Sequence, residues 1–300
     1  MVLKTLLFGH GNAPKPTWCK NNLVPGLDPC GMKKFDFDAL QAQSWMWSYR
    51  PLVTVVLIFY VWLCVNLGAR MMRNHKPIAC EWLQFVWNVA IAAYSWVSVY
   101  YIVPEFIETV RLYGFHGSLC TVRTLYVDGN TGYIAWLFHV SKLVELGDTI
   151  WLILRKRPVK FIHWYHHTTV LFNAWFSYLS AGSAFRIAMC MNLSVHSVMY
   201  TYFAIQHLCR KRVPRCVAAM VTMMQLAQFA VGTYSLVNVA YRMSVLGETC
   251  DSDLSTMWRH IAITGSYLLL FTHFFYQSYL SCMFIPKTSL KIKETHLKTE

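Results

Sequence analysis

Apolar residues in this chain gather into long uncharged runs separated by short polar breaks, instead of alternating with polar ones as in a soluble domain. Seven runs are long enough to cross a hydrocarbon core about 30 Å thick at about 1.5 Å per helical residue: about 52–70, 82–103, 133–154, 161–181, 184–207, 216–241 and 259–285. The third contains Lys142, Glu145 and Asp148, which at i, i+3 and i+6 can pair with one another and so tolerate burial. The pattern predicts an all-α, multi-pass membrane protein of seven transmembrane helices, an up-and-down bundle with short loops. Residues 1–51 carry Pro and Gly without sustained periodicity and read as a tail, with one amphipathic stretch near Phe35–Trp47 that ends at Pro51. Pro104 is expected to close the second span and leave 105–132 as the largest internal loop, with turn signals at Gly114, Gly117, Gly129 and Gly132. The membrane domain then covers 52–285, and 286–300 form a second tail. No cleavable signal is expected, because the apolar run over residues 1–9 is too short.

Composition agrees with this reading, since 56% of the residues are hydrophobic and 14% charged. Seven spans put the termini on opposite faces. Arg70, Arg73 and Lys76, the clusters Arg155, Lys156, Arg157, Lys160 and Arg210, Lys211, Arg212, Arg215, and the C-terminal lysines share one face. Arg111, Arg123, Arg186, Arg242 and Arg259 are spread over the other. The excess makes the C-terminal face cytosolic and the N-terminus lumenal. The net charge of +13 therefore concentrates on one face, where it suits anionic lipid or a polyphosphate ligand. Nucleic acid is not expected, because these residues flank spans and form no stripe on a soluble domain. Cys19, Cys30, Cys120 and Cys250 fall on the lumenal side, and a disulfide between Cys120 and Cys250 is expected to tie two lumenal loops. Lys298, third from the end, hints at retention in the endoplasmic reticulum.

Chemistry collects in four consecutive runs. His163, His166 and His167 stand at i, i+3 and i+4, on one helix face, and three imidazoles there are costly to bury without a use. The spacing alone leaves open whether they hold a metal or supply a nucleophile and a base. The third run adds Lys142, Glu145, Asp148 and Thr149, the fifth Asn192, His196, Tyr200 and Tyr202, and the sixth Thr222, Gln225 and Gln228. Counted at 1.5 Å per residue from the cytosolic ends, Asp148 and His166 lie about 9 and 8 Å deep, Glu145 and Gln225 about 14 Å and His196 about 16 Å. Matching depth predicts one polar pocket open to the cytosol. His139 and His273 are isolated and read as structural.

Together these segments resemble the fatty acid elongase (ELO) family of membrane 3-ketoacyl-CoA synthases. The resemblance rests on Lys142-x-x-Glu145-x-x-Asp148-Thr149, His163-x-x-His166-His167, His196-x-x-Met199-Tyr200 and Thr222-x-x-Gln225-x-x-Gln228, in that order. The third motif departs from the family at Phe203, where a tyrosine is frequent, and Trp164 is similar to the branch acting on saturated and monounsaturated chains. The resemblance implies condensation of a long-chain acyl-CoA with malonyl-CoA to a 3-ketoacyl-CoA, CO2 and CoA, with no cofactor and no metal. It implies helices around a closed-ended acyl tunnel, in the endoplasmic reticulum membrane. By similarity His166 is the nucleophile that forms an acyl-imidazole, and His196 positions malonyl-CoA or stabilises its enolate. His163 and His167 would orient groups and relay protons. Lys142, Glu145, Asp148, Thr149, Asn192, Tyr200, Tyr202, Gln225 and Gln228 would position them. The basic residues from Arg155 to Lys160 and from Arg210 to Arg215 are candidates for the CoA phosphates on electrostatic grounds. Implied partners are membrane lipid, the ketoacyl-CoA reductase, dehydratase and enoyl-CoA reductase of the cycle, and a second copy in a homodimer.

Two other classes compete. A di-iron desaturase or hydroxylase also uses His-x-x-His-His, but needs roughly eight ligands over several such boxes, and this chain has one box plus His196. A seven-span lipid-binding protein without chemistry leaves three clustered histidines unexplained.

Overall fold

The computed structural model of the chain describes residues 37–78, 81–126, 128–208 and 213–280, and every regular element among them is helical. Helix α1 spans Ala39–Trp62 and continues through a π turn, Leu63–Leu67, into a short turn of helix, Gly68–Met71. It is followed by α2 (Glu81–Cys120), α3 (Gly129–Val144), α4 (Gly147–Leu154), α5 (Phe161–Ser180), α6 (Phe185–Leu208), α7 (Arg215–Ser244) and α8 (Leu254–Phe275). Aspartates start three of them. Asp38 accepts from the N–H groups of Leu40 and Gln41 at 3.0 Å, Asp128 from Thr131 at 3.4 Å and Asp253 from Thr256 at 2.9 Å, each satisfying donors that a helix start leaves free.

Neither proline ends a helix where the sequence pattern places an end. Helix α1 begins in the segment read as a tail and runs through Pro51. Proline cannot donate to the carbonyl four residues back, that of Trp47, and the Arg50 guanidinium donates to this oxygen instead, at 2.6 Å. Helix α2 passes Pro104 and leaves helical φ/ψ only at the Gly114 kink (φ 70°, ψ 172°), so residues 105–120, expected as loop, are helical on both sides of it. The continuation is held by Glu105, buried against Arg186 of α6. A third difference lies in the run from 133 to 154, which breaks at Glu145 and Leu146 into α3 and α4.

Helix α2 packs most extensively along α6, and α7 along α8. Contacts α6 to α7, α8 to α5, α5 to α3 and α3 to α2 close a ring, with α1 lying chiefly against α5. The arrangement is thus not a bundle of sequential neighbours. Large apolar side chains such as Ile58, Trp82, Tyr100 and Leu269 point outward, at 68%, 70%, 74% and 73% exposure. Polar ones, including Lys142, Thr149 and Arg186, are buried. That inversion suits a protein whose solvent is lipid. Three helical stretches, Ala39–Leu67, Glu81–Cys120 and Arg215–Ser244, are long and apolar enough to cross a membrane.

A core of Met46, Ile102, Leu125, Ala135, Leu171 and Met189 fills one end of the bundle. There Trp175 Nε1 donates to the Met46 carbonyl at 2.9 Å and Gln43 Nε2 to that of Leu179 at 2.7 Å, pinning α5 to α1. At the same end Cys120 and Cys250 are disulfide-bonded across a sequence separation of 130. Residues 1–36 and 281–300, with Cys19, Cys30, Lys298 and most of both tails, lie outside the described residues, as do Arg210, Lys211 and Arg212.

Candidate active site

The site begins at the break between α3 and α4. Gly147 lies against the indole of Trp87 from α2, and a Cβ there would stand 2.6 Å from two ring carbons. The turn is wound by i to i+3 bonds, from Asp148 N to Glu145 O at 3.1 Å and from Thr149 N to Leu146 O at 3.2 Å. The motif residues on either side take different partners. Lys142 Nζ bonds Glu145 Oε1 at 2.7 Å and Asn192 Oδ1 at 2.8 Å, and lies 4.4 Å from the centre of the Phe138 ring. Asp148 joins neither. Its oxygens accept from Trp87 Nε1 at 2.7 Å and from the Tyr200 hydroxyl at 2.6 Å. The expected three-way pairing of Lys142, Glu145 and Asp148 is therefore one ion pair plus a carboxylate held by neutral donors.

The three histidines of α5 sit in different surroundings. His163 Nε2 is 2.8 Å from Thr149 Oγ1, which is 2.6 Å from the Tyr60 hydroxyl of α1. His167 is buried, its ring 4.5 Å from that of His163 and 5.5 Å from that of His166, and its Nδ1 has no partner among the described residues. His166 is walled by Tyr267, Phe271 and Phe229 at ring separations of 4.8, 6.0 and 6.2 Å. From α6, His196 brings Nδ1 to 3.6 Å from Glu145 Oε1 and its ring to 5.5 Å from Tyr200.

All four histidines line one cavity of about 860 Å³, together with Glu145, Asp148, Tyr200, Gln225 and Gln228. Gln225 Nε2 reaches Met199 Sδ at 3.1 Å, and the buried Gln228 Oε1 has no partner among the described residues. Lys142 and Thr149 stand one contact behind the lining, through Glu145 and His163, and Asn192 one contact further back, through Lys142. At the end of the cavity nearest the α4–α5 turn the lining includes Arg155 and Lys160, with Glu81, Gln206 and His207. Arg155 donates to Gln84 Oε1 at 2.6 Å and stands 3.9 Å from Glu81. Lys160 lies 5.2 Å over the Phe274 ring.

Not every expected residue arrives. Tyr202 is outside the lining and bonds Gln206, one helical turn along α6. Lys156 turns to the carbonyl of Arg73 at 3.4 Å, and neither it nor Arg157 nor Arg215 borders the cavity. Conversely, Tyr60, Trp87, Phe229, Tyr267 and Phe271 take part without having been singled out. Gln84 and Asn88, also in the lining, carried a legible signal as two amides four residues apart in an apolar run. Among the described residues no three His, Cys, Asp or Glu side chains converge closely enough to hold a metal ion.

Residues 44–284 match the ELO: GNS1/SUR4 family. The chain is similar to long chain fatty acid elongase 2 of Caenorhabditis elegans, 35% identical over 83% of this chain and 90% of that protein. It is also 35% identical to very long chain fatty acid elongase 6 of Drosophila melanogaster, over 80% of this chain and 74% of that one. With very long chain fatty acid elongase 3 of Mus musculus the identity is 31%, over 86% and 94%.

Proposed function

Since the chain belongs to the ELO family, the fatty acid elongases, we propose that it joins a long-chain acyl-CoA to malonyl-CoA at this cavity, releasing CO2 and CoA and leaving a 3-ketoacyl-CoA. The observation that carries the mechanism is that His166 of α5 and His196 of α6 line the same space, with both His166 nitrogens unengaged among the described residues and its ring walled by aromatics. An imidazole held neutral in such surroundings is a nucleophile. His166 attacks the acyl thioester carbonyl, the C–S bond breaks, and the departing thiolate takes the imidazole proton, leaving acyl-imidazole and CoA. Malonyl-CoA then loses CO2, and the carbanion left behind attacks the acyl-imidazole carbonyl. The C–N bond breaks, and His166 recovers a proton from water.

His196, held beside Glu145, is placed to meet the enolate oxygen of the second substrate, and Asp148 keeps Tyr200 in register next to it. Arg155 and Lys160 at the rim take CoA phosphates. The acyl tail runs away from the rim between the helices, in a tunnel closed at its far end. We place seven spans on the apolar runs and the protein in the endoplasmic reticulum membrane on the family resemblance, with the distribution of Lys and Arg supporting a lumenal N-terminus and a cytosolic C-terminus. The 3-ketoacyl product requires a reductase, a dehydratase and an enoyl reductase downstream, and a homodimer is the proposed assembly.

The test is turnover of purified protein with acyl-CoA and labelled malonyl-CoA. The expected product is a 3-ketoacyl-CoA two carbons longer, and His166→Ala should lower its formation at least about a thousandfold with the fold intact. Near-normal turnover in that variant would remove His166 as nucleophile. Stoichiometric iron with activity lost to chelation would overturn the condensing reading altogether.

A further inference from the structure

We infer that Tyr60, acting through Thr149, fixes His163 as the tautomer with its proton on Nδ1, so that His163 serves as a hydrogen-bond donor to the acyl carbonyl oxygen and not as a base. This rests on the elongase reading and assigns a role to α1, a helix that lies outside the ring and contributes no residue to the four motifs.

The contacts are short and sheltered. The Tyr60 hydroxyl is 2.6 Å from Thr149 Oγ1, which is 2.8 Å from His163 Nε2. Tyr60 is 4% exposed and Thr149 fully buried, so water does not compete along this line. The close approach is built into the backbone, because Gly68 beyond the π turn lies where a Cβ would stand 2.8 Å from Ile153 Cδ1 of α4. Two polarities are conceivable for a phenol, an alcohol and an imidazole in series. A phenol is the best donor of the three and an imidazole lone pair the best acceptor. The favoured order is therefore Tyr60 donating to Thr149 and Thr149 donating to Nε2, each bond polarising the next. Asp148, the adjacent carboxylate, is already engaged by Trp87 and Tyr200 and does not draw the Tyr60 proton away.

With Nε2 accepting, the His163 proton must sit on Nδ1, which has no partner among the described residues, on a ring that lines the cavity. The His167 ring neighbours both His163 and His166, so this donor stands beside the nucleophile. Attack on the thioester places negative charge on the former carbonyl oxygen, and a donor already oriented lowers the energy of that state. Tyr60 and Thr149 are positioning residues. Neither touches substrate.

The test joins a spectrum to kinetics. Imidazole nitrogen resonances of 15N-histidine-labelled protein, with His163 assigned through His163→Gln, should report a protonated Nδ1 in the unaltered protein and a shift toward the other tautomer in Tyr60→Phe. Tyr60→Phe and Thr149→Val should each lower kcat about 10- to 100-fold. The acyl-CoA KM should be unchanged and the loss the same at every acyl length, with Thr149→Ser recovering most of what Thr149→Val loses. A proton on Nε2 in the unaltered protein overturns the inference. So does Tyr60→Phe with an unchanged kcat, or with a lowered kcat and an unchanged spectrum. If the unaltered protein makes no 3-ketoacyl product, the elongase reading fails instead, and the spectrum still decides where the proton sits.

Discussion

Two buried ion pairs lie in different parts of the bundle, and they are finished to different degrees. Arg186 of α6 uses all five of its N–H groups. Nε and Nη2 hold Glu105 at 2.9 and 3.2 Å, while Nη1 and Nη2 reach the carbonyls of Ser118, Thr121 and Val122 at 2.5, 2.6 and 2.5 Å. Glu105 in turn accepts from Thr109 and Thr124 at 3.2 and 3.3 Å. The other pair, Lys142 with Glu145, leaves Glu145 Oε2 buried and without a partner among the described residues, and the same holds for His167 Nδ1 and Gln228 Oε1 nearby. Since an unpaired buried polar atom costs about 1–3 kcal/mol, a fold selected for stability alone would fill these positions. The closed network serves as a knot that fixes the loops beside the Cys120–Cys250 bond, and the open one leaves polar valences unfilled at the cavity.

Breaking the knot should give the largest effect on stability. Arg186→Leu strands Glu105 in the interior and should cost about 3–5 kcal/mol in thermal or denaturant unfolding, while turnover per folded molecule stays near normal. Adding Glu105→Leu should recover much of the loss, since the uncompensated charge is gone. A loss below about 1 kcal/mol in the single variant would mean that the knot is not what holds this end. The opposite sign is expected at the open network. Gln228→Met removes an orphaned acceptor and should leave stability unchanged or raise it by about 1 kcal/mol, while lowering turnover about tenfold. A destabilisation like that of Arg186→Leu would show that Gln228 is a structural residue.

The open network was legible in the sequence and much of the knot was not, for a physical reason. Lys142, Glu145, His166, His196 and Gln228 stand out because a polar side chain in an apolar run is costly wherever it faces, and their spacing puts them on inward faces. Arg186 was assigned to a lumenal boundary, and nothing in its neighbours announces Glu105 as a partner 81 positions away. The prolines misled because the rule for them treats a helix alone. At Pro51 the freed carbonyl found Arg50, and beyond Pro104 the tertiary pair held the helix together. Aromatic residues were the least legible. Tyr60, Trp87 and Tyr267 look like the many Trp, Tyr and Phe side chains that face outward, such as Trp82 and Tyr100, and only packing separates them. Tyr202 failed in the other direction, a polar aromatic in a motif segment that does not reach the cavity.

At the rim the contrast between closed and open networks is weakest, and so is the expected effect. Arg155 meets Glu81 at 3.9 Å, with side-chain exposures of 31% and 75%, a geometry in which an ion pair contributes about 0–1 kcal/mol. An anionic phosphate can take Arg155 from Glu81 at little cost, whereas nothing could take Arg186 from Glu105. Arg155→Ala and Lys160→Ala should each raise the acyl-CoA KM about three- to tenfold and leave kcat alone, with the difference shrinking as salt is added. Lys156→Ala is the internal control, because Lys156 points to the Arg73 carbonyl and away from the cavity. Equal effects from Lys156 and Arg155 would mean that the basic cluster acts only as a diffuse field at the membrane surface. An effect confined to Arg155 and Lys160 would place the phosphates at the rim of the cavity that His166 lines.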